Sequence, residues 1–226
     1  MNETTSSQEH PSYVLAGRRL TLPSWRTIGI AAVAILALAL VSGGVWFWNA
    51  SQQQRGSAVY AETLTRHRAA EAPQATPEVR AAAMRELERV LADYPANLMA
   101  PQAAYLLGNL RFNSGQYAPA RAAYQVTAAR AGSGTMLTLA RAGIGYAWES
   151  ERKFPEAARA FETALADLKP TSFYYEELLA DLARAQERAG QKDAAIATYR
   201  RLLKDLPKSA RIPEVKTRLA SLGATP

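Results

Sequence analysis

Residues 27–48 form a run of 22 residues without a charged side chain, and no charge follows until Arg55. As a helix this run would be about 33 Å long, which matches the apolar core of a bilayer. Trp25 precedes the run and the sequence WFW ends it, as in the aromatic belts of membrane helices. The pattern predicts one transmembrane helix over residues 25–48, in contact with the membrane through residues 27–48.

Positive charge near the run predicts its orientation. Arg18, Arg19 and Arg26 lie within 15 residues before it, and only Arg55 lies within 15 residues after it. The positive-inside rule then places the N-terminus in the cytoplasm and the large C-terminal part in the periplasm of a bacterium, anchored in the inner membrane. The alternative is a cleaved signal peptide with the small residues 42–44 as its site, although the long charged region before the run argues against it.

The remaining sequence divides into three parts. Residues 1–24 are polar without a helical period and predict a disordered cytoplasmic tail. Residues 49–76 predict a post-membrane helix and a linker that ends in the proline-containing sequence EAPQATP. From residue 77 onward, apolar residues recur at spacings of three and four between glycine and proline breaks, which predicts short antiparallel helices and an all-α fold.

Two segments of this helical part match at a constant shift of 37 residues. Gly108 and Tyr124 correspond to Gly145 and Phe161, and a third copy follows 38 residues later with Ala183 at the glycine position. A mid-helix glycine costs about 1 kcal/mol relative to alanine, so its recurrence predicts a close approach of two helices. We expect the glycine to lie against the alanine of the second helix, with the aromatic side chain filling the space between repeats.

Leu-Gly in a first helix, followed by a small residue, an aromatic residue and then proline, is the tetratricopeptide pattern. It predicts an α-solenoid of about three to four helical hairpins with a C-terminal capping helix; the alternative is a helical bundle with a chance period. Within a domain at 77–226, we expect repeats near 101–134, 138–171 and 176–209 and a capping helix at 212–222. The turn glycine of the pattern is replaced by Arg152 in the middle copy.

The layout resembles the YfgM family, the ancillary single-pass subunits of the bacterial Sec translocon. The resemblance rests on the sequence VWFWNASQQQRGSAVYAE after the apolar run, followed by the repeats. It implies a periplasmic scaffold near the translocon whose partners are translocon subunits and periplasmic chaperones. The segment YRRLLKDLPKSARIPEVKTRLASLG also resembles the last repeat of other envelope proteins, so outer-membrane assembly, Tol-Pal-linked division or cytochrome maturation remains an alternative. A self-associating homo-oligomer is a third hypothesis.

The sequence contains no pattern typical of an active site. There is no cysteine, which excludes disulfides, thiolate zinc sites and a cysteine nucleophile. His10 and His67 are far apart, and His67 is expected to be an exposed helix residue. The net charge of +7 is interleaved with acidic residues, which is typical of solvated helix faces rather than of nucleic-acid binding. We therefore expect no enzyme activity, no cofactor and no metal.

Repeat solenoids bind partners on the concave surface formed by the first helix of each repeat. Consensus groove positions place the candidate protein-binding residues at Tyr105, Asn109, Phe112, Asn113, Tyr146, Glu149, Arg184, Glu187 and Arg188. Asn109 and Arg184 fit the clamp by which some relatives hold a peptide carboxylate, but Tyr146 and Ala180 do not. The ligand is therefore expected to be a protein surface or an extended segment. Alternatively, Tyr105 and Tyr146 only pack against the next helix.

Overall fold

The computed structural model describes residues 13–15, 18–20, 25–72 and 74–225. It divides into two compact units, Met1–Ser51 and Gln52–Pro226. Its helices are α1 (Trp25–Glu71), α2 (Pro77–Asp93), α3 (Ala100–Asn113), α4 (Tyr117–Arg130), α5 (Thr135–Ser150), α6 (Phe154–Leu165), α7 (Tyr175–Arg188), α8 (Lys192–Asp205) and α9 (Ile212–Ser221). In the part of the chain that the structure describes, the fold is all-α apart from one short strand pair in the N-terminal tail.

The strand pair joins β1 (Tyr13–Leu15) to β2 (Arg18–Leu20) in antiparallel register, with Val14 opposite Arg19. The sequence predicted a disordered tail over 1–24, so these six residues differ from the prediction. Aromatic, β-branched and long aliphatic residues favour extended backbone, which accounts for a strand at the sequence YVL. The other residues of the tail lie outside the described part of the chain.

The first part of α1 is apolar on every side. Its large side chains are exposed along the segment, from Trp25 to Trp48. Within the described residues, the stretch Trp25–Thr63 is long and apolar enough to cross a membrane, a property that signal sequences share. A helix that is apolar on all faces is stable in lipid, where its backbone groups are paired internally.

The second unit begins within α1, earlier than predicted. Tyr60 and Ala70 of α1 are buried in one cluster with Leu87 of α2 and Leu107 of α3. The segment after Ser51 is therefore the first helix of a hairpin with α2, whereas the sequence indicated a helix and linker outside the repeats. Its apolar residues are sparse, and only packing against α2 and α3 reveals their common face.

Three further hairpins follow: α3 with α4, α5 with α6, and α7 with α8. They lie close to the predicted repeats, and α9 covers the last hairpin by burying Val215 and Leu219 in its core. Within the described residues the solenoid thus contains four hairpins and a capping helix, and most of the buried apolar positions are alanines and aromatic residues. Arg152 adopts φ 60° at the turn where the neighbouring repeats place Gly115 and Gly190, with φ 74° and 73°.

The helical glycines make room for aromatic rings. A Cβ added at Gly108 would lie 2.5 Å from the ring of Tyr124, and one at Gly143 would lie 2.8 Å from the same ring. A Cβ at Gly145 would lie 2.5 Å from the ring of Phe161. The expectation that the glycine faces the alanine is therefore corrected, because the ring itself occupies the space. The aromatic side chain does lie between repeats, since Tyr124 contacts glycines of both α3 and α5.

Candidate protein-binding groove

A cavity of about 270 Å³ lies between the first helices of three successive repeats, α3, α5 and α7. It is open to solvent and lined mainly by aromatic and small side chains. The lining residues are Tyr105, Asn109, Phe112, Tyr124, Thr138, Leu139, Ala142, Gly143, Tyr146, Tyr174, Glu177 and Leu178. We call this surface the aromatic groove. Four of the nine predicted groove residues lie in it: Tyr105, Asn109, Phe112 and Tyr146.

The α3 side of the aromatic groove is held by Tyr124. Its buried ring lies 5.7 Å from that of Tyr105, and its hydroxyl donates to Oδ1 of Asn109 at 2.9 Å. Burial and the neighbouring Tyr105 raise the pKa of Tyr124 well above its ordinary value, so its hydroxyl stays a neutral donor. This bond fixes the Asn109 oxygen and directs its amide nitrogen elsewhere. Phe112 packs edge-on against Tyr117 at 5.5 Å.

Tyr146 lies on the α5 side and both lines the groove and packs against its neighbours. Its ring meets Phe161 edge-on at 5.1 Å, and its hydroxyl donates to Asp181 of α7 at 2.6 Å. Burial, followed by the hydrogen bond to Asp181, raises the pKa of Tyr146. The packing alternative therefore holds for this residue in part, since its hydroxyl joins two repeats while one face of its ring borders the cavity.

The charged residues of the predicted groove form a closed network between repeats. Glu149 of α5 accepts hydrogen bonds from Nε and Nη2 of Arg184 at 3.0 and 3.1 Å, and from Arg188 at 3.0 Å. Arg184 also pairs with Asp181 at 2.7 Å. The hydrogen bond to Glu149 is the main cause that raises the pKa of Arg184. These two arginines are therefore already neutralised and are poorly suited to bind an incoming carboxylate.

The remaining two predicted residues lie apart from the aromatic groove. Glu187 accepts a hydrogen bond from the Tyr199 hydroxyl at 2.9 Å and pairs with Arg218 at 3.5 Å. Asn113 is exposed at the last position of α3 and is not among the residues that line the cavity. Their role in binding stays a prediction.

Eight of the twelve lining residues were missed by the sequence interpretation, and two of them add polar groups on the α7 side of the groove. Tyr174 precedes α7 and Glu177 lies in its first turn, and both line the cavity. Within the described part of the chain, the exposed Glu177 carboxylate has no ion-pair partner. The run of three aromatic residues at 173–175, directly before the predicted third repeat, was the signal that could have identified the α7 side of the groove.

His67 contradicts the prediction of an exposed helix residue, because only 2% of it is exposed. It lies on the face of α1 that the first hairpin buries, whereas the sequence placed residues 49–76 outside the repeats. His10 lies outside the described residues. Among the residues that the structure describes, no group of three or more His, Asp or Glu side chains could hold a metal ion.

Comparison with known proteins supports the repeat interpretation. Residues 150–219 match the tetratricopeptide repeat family. No curated protein matches the chain.

Two solved structures share the fold. The kinesin light chain protein of Podospora anserina, with nearly identical TPR-like repeats, is 16% identical over 74% of this chain and 85% of its own, with a TM-score of 0.56. The apo form of RapI is 10% identical over 76% of this chain and 49% of its own, with a TM-score of 0.59. The chain thus spans about half the length of RapI. The four hairpins, the family match and these similarities together establish the second unit as a tetratricopeptide-type α-solenoid.

Proposed function

We propose that the solenoid is a protein-interaction scaffold whose aromatic groove binds an extended segment of a partner protein. The observation that carries this proposal is the open cavity between α3, α5 and α7, bordered by Tyr105, Tyr146 and Tyr174. Its volume of about 270 Å³ lies below the range of about 300–1,000 Å³ common for small-molecule sites. A space of this size suits one or two side chains of a bound segment, and tyrosines are frequent binding anchors.

The charge of the groove favours a cationic segment. Arg184 and Arg188 are neutralised by Glu149 and Asp181 together, whereas the Glu177 carboxylate at the groove is unpaired within the described residues. A lysine or arginine beside an apolar side chain would pair with Glu177 and stack on the tyrosine rings. The same distribution disfavours the C-terminal carboxylate of a peptide, in agreement with the incomplete clamp in the sequence.

We further propose that residues 27–48 anchor the protein in the bacterial inner membrane, with a cytoplasmic N-terminus and a periplasmic solenoid. The length and apolar character of the first part of α1 support this placement, and the arginines at 18, 19 and 26 support the orientation. Anchoring would confine the groove near membrane partners and raise their effective concentration.

The proposed role is that of an auxiliary to the Sec translocon that works with periplasmic chaperones, as the layout resemblance implies. The runner-up is a scaffold for another envelope machine, in outer-membrane assembly, Tol-Pal-linked division or cytochrome maturation. Affinity purification of the full-length chain from mild-detergent membranes, followed by quantitative mass spectrometry, separates the two. Enrichment of translocon subunits and chaperones supports the first role, whereas enrichment of another envelope complex without the translocon supports the second.

The groove itself is tested by a matched pair of charge reversals. Glu177→Lys alters the groove and removes no ion pair of the described residues, so we expect loss of the captured partners with an unchanged fold. Glu162→Lys makes the same change at an exposed position of α6 outside the aromatic groove and should leave capture intact. Equal capture by both variants would contradict binding in the aromatic groove. The mass of the detergent-solubilised protein tests the third hypothesis, a homo-oligomer.

The orientation is tested by a reporter that is active only in the periplasm, fused after Pro226. Periplasmic activity is expected, and activity confined to the cytoplasm would overturn the placement of the solenoid.

A further inference from the structure

One edge of the solenoid contains all the loops that join a hairpin to the next one. Neighbouring helices joined by short loops run antiparallel, so residues 94–99, 131–134, 166–174 and 206–211 lie at the same end of the helices. We call this end the loop edge. The opposite end contains the turns inside the hairpins, at 114–116, 151–153 and 189–191.

Contacts between successive loops confirm that the loop edge is continuous. Arg130 at the end of α4 donates to the carbonyl of Pro95 at 2.9 Å. The loops 131–134 and 166–174 border a common cavity of about 480 Å³. Ser209 donates to Glu176 at the start of α7 at 2.7 Å.

The chain enters the second unit at this same edge. The Gln53 side chain donates to the carbonyl of Ala96 at 2.9 Å and accepts from the backbone nitrogen of Leu98 at 3.1 Å. Asn97 donates to the Gln53 carbonyl at 3.1 Å. Only four residues of sequence, 49–52, separate Gln53 from Trp48, at which the apolar run ends.

The two most exposed large apolar side chains of the described solenoid lie on the loop edge, together with a third that is partly exposed. Leu98 is 85% exposed, Phe173 is 89% exposed and Met99 is 38% exposed. Among the described residues after Gln52, the only other large apolar side chain as exposed as these is Val79 at 41%, in the first turn of α2. Single exposed apolar residues are common, but here three share the edge at which the chain enters.

The loop edge also has an excess of free positive charge. Arg55, Lys169 and Lys208 are exposed and have no ion-pair partner within the described residues. Among the acidic side chains close to these loops, Asp167 is paired with Arg141 at 2.9 Å, and Asp205 with the Tyr175 hydroxyl and Arg201. Glu177 of α7 and Glu214 of α9, in the first turns that follow two of the loops, are exposed and without an ion pair within the described residues, so the three unpaired cations face two unpaired carboxylates.

We propose that the loop edge rests on an anionic phospholipid bilayer. Leu98 and Phe173 enter the boundary between head groups and acyl chains, while Lys169 and Lys208 pair with lipid phosphates. A protein partner would also accept exposed apolar residues, but the chain entry and the unpaired cations both favour a membrane surface. The inference rests on the anchoring proposed above and is independent of binding in the aromatic groove.

Single-cysteine labelling of the full-length protein tests this contact, since the native chain contains no cysteine. Leu98→Cys and Phe173→Cys probe the loop edge, and Gln116→Cys is a matched exposed control at the opposite end of the helices. Leu40→Cys reports on the anchor itself. Each variant is labelled with a fluorescent dye and reconstituted into phosphatidylglycerol vesicles that contain a nitroxide-labelled lipid as quencher.

Strong quenching is expected at positions 40, 98 and 173, and little at position 116. Quenching at 40 alone would leave the anchor intact and overturn the contact of the loop edge. Equally weak quenching at all four positions would overturn both the membrane anchor and the contact of the loop edge. Protection of 98 and 173 that grows with protein concentration in quencher-free detergent would show a protein contact instead and also overturn the proposal.

A charge variant tests the lipid specificity. Each cation near an anionic surface contributes about fivefold in affinity, so Lys169→Gln with Lys208→Gln should weaken the edge contact roughly 25-fold. Vesicles of phosphatidylcholine, which has no net charge, should likewise reduce quenching at positions 98 and 173. Quenching that is unchanged by both the variant and the neutral lipid would contradict an electrostatic contact with lipid phosphates.

Discussion

The contact between Gly108 and Tyr124 predicts that Gly108→Ala destabilises the solenoid, although alanine is the better helix former. The added Cβ would lie 2.5 and 2.6 Å from two ring carbons of Tyr124. Carbon atoms in contact normally lie about 3.5–4.0 Å apart, so the ring would have to move by about 1 Å. Its opposite edge faces Gly143, where an added Cβ would lie only 2.8 Å away, so little space exists on that side.

Three contributions determine the magnitude. Alanine at a helix interior gains about 1 kcal/mol over glycine. Overpacking of a filled core costs about 1–3 kcal/mol. Displacement of the ring also weakens the hydrogen bond from the Tyr124 hydroxyl to Asn109, which contributes about 1 kcal/mol. The expected net effect is a destabilisation of about 2 kcal/mol.

Urea unfolding of the full-length protein in mild detergent, followed by far-UV circular dichroism, measures this change as a lower midpoint with an unchanged slope. Ala183→Gly is the matched control, because Ala183 is the corresponding buried residue of the third repeat. It should destabilise by about 1–2 kcal/mol, because glycine has the lower helix propensity and the exchange removes a buried methyl group. Both substitutions should therefore destabilise the solenoid, although one adds a methyl group and the other removes one. Stabilisation by Gly108→Ala, with a normal response to Ala183→Gly, would refute the packing argument.

Three further predictions concern the turn between α5 and α6. Arg152→Gly should stabilise by about 0.5–1 kcal/mol, seen as a higher urea midpoint, because the left-handed backbone at φ 60° costs arginine more than glycine loses in chain entropy. Hydrogen bonds from Arg121 and then from Lys153 lower the pKa of Glu151 from its ordinary value of 4.5. The ionised Glu151 therefore stabilises the fold fully at a pH above 4.5, and this stabilisation is lost as the pH falls through the lowered pKa. Glu151→Gln should therefore flatten this part of the pH–stability profile, and an unchanged acid limb would contradict the coupling. Arg121→Lys should lower the free energy of unfolding by about 1–2 kcal/mol, seen as a lower urea midpoint, because the guanidinium lies 3.4 Å from the centroid of the Trp148 ring and an ammonium cannot reproduce its planar stacking. Equal stability of the two proteins would show that the stack contributes nothing.

The helix ends were predictable from local sequence because glycine and proline end a helix through their own backbone conformation, whatever packs around them. The break at Ser114-Gly115 falls directly after α3, and the break at Leu206-Pro207 falls directly after α8. The repeat period likewise fixed the order of hairpins. The first hairpin was missed because α1 continues from the apolar run without a break, so no local signal separates the two parts.

The contacts of the charged residues were harder to predict because they join different repeats. Glu149 binds Arg184, and Tyr146 binds Asp181, each across 35 residues. This spacing is close to the repeat length but slightly shorter, since equivalent faces of neighbouring first helices are offset along their axes. A search for complementary residues at that spacing would have identified both pairs, whereas the consensus positions marked the same residues as free to bind a ligand.

Ion pairs within the solenoid therefore determine which charged side chains remain available to bind a partner. The chain has a net charge of +7, yet the free charge at the aromatic groove is the carboxylate of Glu177. At the loop edge the unpaired cations, among them Lys169 and Lys208, outnumber the unpaired carboxylates. A cationic segment that suits the groove is also attracted to an anionic bilayer, so the membrane would concentrate such segments beside the solenoid. If both proposals hold, the loop edge would keep the solenoid at the lipid surface, where the cationic segments that suit the groove would accumulate.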